Sequence, residues 1–192
     1  MTSGDVIRDL TSGDDERAEA AARQVAAFAP QIFLDLQGLL SSPQADSRWW
    51  AVRALAEIDD PRVPPLLQTA LHDSDLTVRQ CAALALRHQP DARAVPDLIS
   101  MLDAEDRLLA RLAADALVAI GEAAVPALLD VMGNAPQAAR LEAIRALSRI
   151  GDHRSIPVLF AALDEASALV EYWADQGLER MGIGMVFYRP GA

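Results

Sequence analysis

The chain has 192 residues, 52% of them hydrophobic, with 28 acidic against 17 basic residues for a net charge of -11, and one cysteine. That length and apolar content suffice for a core without metal or disulfide support, and an intrachain disulfide is excluded. The acidic balance disfavours phosphate backbones as partners, so nucleic acid is not expected to bind. All 17 basic residues are arginine, which removes Schiff-base lysines and Walker-type phosphate loops. Arg111, Asp115 and Glu122 interrupt the most apolar stretch before the roughly 18 to 20 residues a membrane span needs, so no membrane segment is expected. The opening residues MTSGDVIRDL lack a basic and then apolar leader, and with a single cysteine the expected location is the reducing cytoplasm.

In chain order, the segment DVIRDLTSG reads as the end of a helix. Its Leu10 begins a column continued by Leu40, Leu71, Leu102, Met132 and Leu163, so residues 1–13 form a half repeat. Six first helices follow, expected near 15–29, 46–58, 76–88, 106–120, 137–150 and 168–181. Within one of them, Val78, Cys81, Ala82, Ala85, Leu86 and Gln89 have the spacing of a single buried stripe. Second helices lie between, and Pro65, Pro96, Pro126 and Pro157 stand in their first turns, where a missing N–H costs nothing. Two columns fix the register. Ala21, Ala51, Ala82, Ala113, Ala143 and Ala174 are all alanine, and four residues later come Val25, Leu55, Leu86, Leu117, Leu147 and Leu178. A column without bulk lets paired helices approach closely enough for the leucines to interdigitate. Segments such as HDSD at 72–75 and DAED at 103–106 supply aspartates to cap the next helix. The expectation is an all-α fold, an α-solenoid of about five to six helical hairpins. It forms a single domain over 1–192, with repeats over 14–181 and an apolar, glycine-containing tail over 182–192 that folds back on the last hairpin.

The units QPDARAVPDLISMLDAEDRLLARLAADALVAIG and GDHRSIPVLFAALDEASALVEYWADQGLERMG resemble the HEAT-like repeats of the phycobilisome-lyase type, over nearly the whole chain. The resemblance implies that first helices line a convex side and second helices a concave side where partners dock. Such repeats occur in scaffolds, regulatory subunits and bilin-attachment factors, so they mark a fold more than an activity. Asp60/Arg62, Asp91/Arg93 and Asp152/Arg154 keep the family's Asp-x-Arg, which the unit at Gly121 lacks, and Arg48, Arg79 and Arg140 keep its Val-Arg arginine. These charges read as caps and ladders between repeats.

No catalytic constellation is visible. His72, His88 and His153 form no metal-ligand pair, and Asp73/Asp75 read as caps since no calcium loop follows. Gly182 and Gly184 make a lone Gly-x-Gly with no strand before it. Cys81 sits in the buried stripe as a packed thiol, the alternative being a reactive or bilin-linked cysteine. Glu142 is the odd member of a column otherwise reading Trp50, Cys81, Leu112 and Trp173; at the edge of the stripe it reaches water, or it has a function. No cofactor and no metal are expected.

Partner contact is assigned to the second-helix face: Leu66, Asp97, Ala127 and Val158, then Thr69, Ser100, Asp130 and Ala161, flanked by Ala70, Met101, Val131 and Ala162. This face is small and apolar. It is either a groove for an apolar or amphipathic segment of another protein, or small because tight curvature demands it. Trp49, Leu141 and Tyr172 share a column opposite the buried stripe of the first helices. They are covered by the termini or a second subunit, making a homo-oligomer, or they anchor a partner. The leading function is a non-catalytic protein-interaction scaffold or adaptor; the alternative, carried by the resemblance, is a bilin lyase-like component of tetrapyrrole attachment.

Overall fold

The computed structural model describes residues 2–183, and the fold is an α-solenoid with no strand among them. It divides into two compact units, residues 1–97 and 98–192. The first unit contains α1 (Ser3–Leu10), α2 (Asp15–Ala22), α3 (Ala29–Leu39), α4 (Ala45–Leu55), α5 (Val63–Ala70) and α6 (Leu76–His88). The unit boundary falls inside α7 (Val95–Ser100), and the second unit continues with α8 (Arg107–Ile120), α9 (Val125–Asn134), α10 (Gln137–Ile150), α11 (Ile156–Ala162) and α12 (Ala168–Arg180). The even-numbered helices are the first helices of the repeat and the odd-numbered ones the second, so five full hairpins stand between a half repeat at each end.

Local chemistry sets the helix starts. Thr2 and Asp5 form a capping box on α1, and the side chains of Asp14, Asp75 and Asp106 accept backbone N–H bonds at the starts of α2, α6 and α8. Proline occupies the first turn of α3, α5, α9 and α11. Gly151 ends α10 in the left-handed region at φ 70°, a conformation that residues with a Cβ rarely adopt.

The register holds at every repeat. All six members of the alanine column are at most 3% exposed, and so are all six of the leucine column. Two boundaries differ from expectation. The first helix expected over 15–29 stops at Ala22, and a 3-10 turn over Val25–Phe28 reverses the chain, because Pro30 commits α3 to begin at Ala29. The helix expected over 46–58 ends at Leu55, where the carboxamide of Gln89 donates to the carbonyls of Leu55, Ala56 and Ile58. Gln89 is thus a cap for its neighbour and not the end of a buried stripe.

Residues 107–134 are apolar enough to suggest a membrane helix by composition. They do not form one continuous α-helix: the chain turns at Gly121, with φ 74°, into α8 of 14 residues and α9 of 10. Neither approaches the roughly 20 residues required to cross a bilayer. In the second unit α12 packs closely on α10, where a Cβ on Gly177 would lie 3.0 Å from Ser148 Cα. Only glycine allows that approach without moving backbone. The tail expected over 182–192 lies, from residue 184 onward, outside the described residues.

Candidate functional site

Each Asp-x-Arg pair closes on itself. Asp60, Asp91 and Asp152 accept the backbone N–H of the arginine two residues on and also bind its guanidinium, at 2.7, 2.6 and 2.6 Å. These pairs are local clamps at the start of second helices, and two of them also reach an adjacent repeat: Arg62 lies over the Phe33 ring at 4.0 Å, and Arg154 donates to the Glu122 carbonyl. In the other arginine column, Arg48 and Arg140 reach the loop that opens the next repeat, and Arg79 binds its own. Arg48 binds Asp73 through two bonds of 2.7 Å while donating to the Ser42 carbonyl, Arg79 donates to the carbonyls of Asp73 and Ser74, and Arg140 pairs with Glu165. Asp73 is therefore held by Arg48 and Asp75 caps α6, so neither is left for a calcium ion. No cluster of His, Cys, Asp and Glu suited to a metal occurs among the described residues.

The largest departure from the sequence reading lies in the second unit. Arg145, 1% exposed, donates to Glu142 at 2.8 Å, to Asp115 at 2.8 Å and to the Arg111 carbonyl at 3.1 Å. Arg149 also pairs with Asp115. Glu142 does not simply reach water: its side chain is 13% exposed and forms one arm of this network. Reach explains the change, since a glutamate at the edge of a stripe can turn back onto a cation one helical turn away. Arg145 itself was missed, although Asp115 and Arg145 stand one repeat step apart in one column, which was a usable signal.

Burial pushes the Asp115 carboxyl up, but bonds and charge from Arg145 and Arg149 outweigh it and leave it below the usual 3.8. Hydrogen bonds from Arg62 and Arg154, side chain first and backbone second, bring Asp60 and Asp152 down to about 2. Because these folded-state values are depressed, their stabilisation is complete above the unfolded value near 3.8 and disappears as pH falls through the lower folded values. Carboxyl titration by NMR is expected to give midpoints near 2 for Asp60 and Asp152 and below 3.8 for Asp115; a midpoint for Asp115 above 3.8 would contradict the network. Burial pushes the Cys81 thiol up to about 12, the direction that favours the packed, protonated form.

The residues assigned to the second-helix face separate into three kinds. Thr69, Ser100, Asp130 and Ala161 are exposed, and Leu66, Ala127 and Val158 are half-buried. Ala70, Met101 and Val131 are each 8% exposed and Ala162 1%, so Ala162 is a core residue. Asp97 is not an isolated acid: it accepts from Gln68 Nε2 at 2.6 Å and pairs with His72 Nε2 at 3.1 Å. The structure brings Leu66, Thr69 and Ala70 together with Leu40 in a shallow cleft of about 280 Å³ in the first unit. In the second unit Ala127, Asp130 and Val131 meet Ile99 in another of about 360 Å³. These are the same three columns in different repeats.

Trp49 and Leu141 are half-buried, Trp49 standing edge-on to Trp50 at 4.6 Å, and only Tyr172, against Trp173 at 5.2 Å, is open at 53% exposure. Tyr172 shares a cleft with Ala161, although they were assigned to opposite faces, because α11 packs on α12 of the following half repeat and both border the same opening.

Comparison with known families matches the chain to HEAT repeats three times, over residues 5–87, 35–118 and 95–179. The chain belongs to the HEAT-repeat family. Among curated proteins it is 37% identical over 89 residues to the phycocyanobilin lyase subunit beta of Nostoc sp. strain PCC 7120, covering 46% of this chain and 44% of that one. It is also 37% identical over 105 residues to a phycobilisome maturation protein of Synechococcus elongatus, covering 54% and 50%. The HEAT-repeat chain thus spans about half the length of these relatives, or less. Among solved structures it resembles the CpcE–CpcF complex of phycocyanin lyase from Nostoc sp. PCC7120, with a TM-score of 0.56 at 21% identity, over 95% of this chain and 77% of that one.

Proposed function

We propose that this HEAT-repeat protein is a non-catalytic interaction scaffold that binds an apolar or amphipathic segment of another protein on its second-helix face, in the cytoplasm. The observation that carries this reading is the recurrence of one shallow cleft in the same three columns, Leu66, Thr69 and Ala70 in one unit and Ala127, Asp130 and Val131 in the other. Repeated small, apolar hollows edged by exposed polar positions suit side chains spaced along a bound segment. Thr69→Arg and Ala127→Arg test it, since position 69 is exposed and position 127 half-buried. Ala162 cannot serve, because a cation there would be buried. The expected result is at least about a tenfold loss of partner affinity with thermal stability within about 0.5 kcal/mol of wild type. Undiminished partner binding by both variants would remove this face.

A second reading is favoured by the two cyanobacterial relatives: a component of bilin attachment, acting on phycocyanobilin. Visible absorption separates the two. A lyase-like protein incubated with phycocyanobilin should retain colour through gel filtration and pass it to an acceptor protein, whereas a scaffold leaves the pigment free.

A further inference from the structure

We propose that the first unit carries a pocket for an arginine side chain of a partner protein, formed where the starts of α2, α4 and α6 border one opening. This deepens the scaffold reading and rests on it. The cleft, of about 590 Å³, is lined by Asp15, Glu19, Asp46, Trp49, Trp50 and Thr77. Its walls divide by chemistry. Trp49 and Trp50 meet edge to face at 4.6 Å with an interplanar angle of 84°, which leaves the half-buried Trp49 ring as an apolar, electron-rich wall. Trp50 is 5% exposed and lines the same cleft.

The carboxylates decide the sign of the ligand. Glu19 is committed to Arg53, at 2.8 Å, and to Arg23. Asp15 and Asp46 form no ion pair among the described residues, although both line the cleft. Three helix starts contribute about half a positive charge each. Against that sum the lining itself holds three carboxylates, Asp15, Glu19 and Asp46, and no cation, which leaves the opening negative. A cation is therefore attracted, and arginine fits better than lysine because its planar guanidinium can lie on the Trp49 ring while its N–H fork meets carboxylates.

The probe is a labelled peptide alternating glycine and arginine, set against the same peptide with citrulline, which keeps the shape and loses the charge. Trp173→Phe is the background, so that the emission of the two remaining tryptophans reports on this cleft. The arginine peptide is expected to quench that emission and bind, more weakly as salt rises, and the citrulline peptide is not. Asp15→Asn with Asp46→Asn should weaken binding about tenfold, Trp49→Ala about five- to tenfold, and Trp49→Phe less than Trp49→Ala. Circular dichroism and melting temperature separate lost binding from lost fold, with Trp49→Phe as the variant least disturbing to packing. Equal binding of both peptides, no binding of either, or indifference to all these variants would overturn the pocket. A natural partner released by Thr69→Arg and Ala127→Arg but untouched by Asp15→Asn, Asp46→Asn and Trp49→Ala would overturn it too, while leaving the scaffold reading intact.

Discussion

Arg145→Ala is expected to destabilise the second unit by about 3–5 kcal/mol, read as a fall in the midpoint of urea denaturation. The guanidinium is 1% exposed and serves three acceptors, Glu142, Asp115 and the Arg111 carbonyl. Removing it strands two largely buried carboxylates that retain only Arg149 on Asp115 and a 3.9 Å approach of Arg111 to Glu142. The loss therefore reflects uncompensated charge more than lost attraction. A second variant shows this. Replacing Arg145 by Met together with Asp115→Leu and Glu142→Leu takes charges of both signs out of the interior, and the triple variant is expected to lie within about 1 kcal/mol of wild type or above it. An Arg145→Ala protein within 0.5 kcal/mol of wild type would show that the network does not hold α8 and α10 together.

Leu86→Ala is expected to cost about 2–5 kcal/mol and Ala82→Leu about 1–3 kcal/mol, by opposite routes. Both side chains have no exposed surface, and they occupy the two columns that define the repeat. Truncating Leu86 leaves a cavity beneath α6 that neighbouring helices can fill only in part. Enlarging Ala82 instead drives a branched side chain into the place where the backbones approach, and α6 must move away from the α4 and α5 helices on which it packs. Denaturant midpoints for the two variants against wild type check both. Equal stability of all three proteins would mean that the columns are misplaced by at least one residue, since a shift of register carries these positions out of the core.

The core was legible because it is written locally. A helix of 3.6 residues per turn must place its buried side chains three and four residues apart, and a stacked repeat must return them at a constant step. Val78, Ala82, Ala85 and Leu86 show the first rule, and the alanine column from Ala21 to Ala174 the second. Helix starts were legible for the same reason, since Asp75, Asp106 and the prolines act within one turn of their own position. The end of α2 was not. Its spacing continues past Ala22, and only the need to reverse the chain before Pro30 converts those residues into a 3-10 turn.

The charged residues were harder to place. Asp97 and Glu142 look like free acids because their partners lie elsewhere: Gln68 and His72 on a neighbouring repeat for Asp97, and for Glu142 an arginine that burial forces inward. Ala162 belongs to the small face by its column, yet it is 1% exposed, and Ala70, Met101 and Val131 of the same column are buried with it.

The amino-acid sequence by itself determined the hairpin repeat, its register and its core, because each follows from helical period and repeat step and needs no knowledge of neighbours. The tertiary structure alone decided which charges are paired, where Arg145 goes, and which apolar side chains border an opening. Those outcomes depend on residues about thirty positions apart on adjacent helices, whose long side chains can reach solvent or one another, and only the packing of the helices selects between the two.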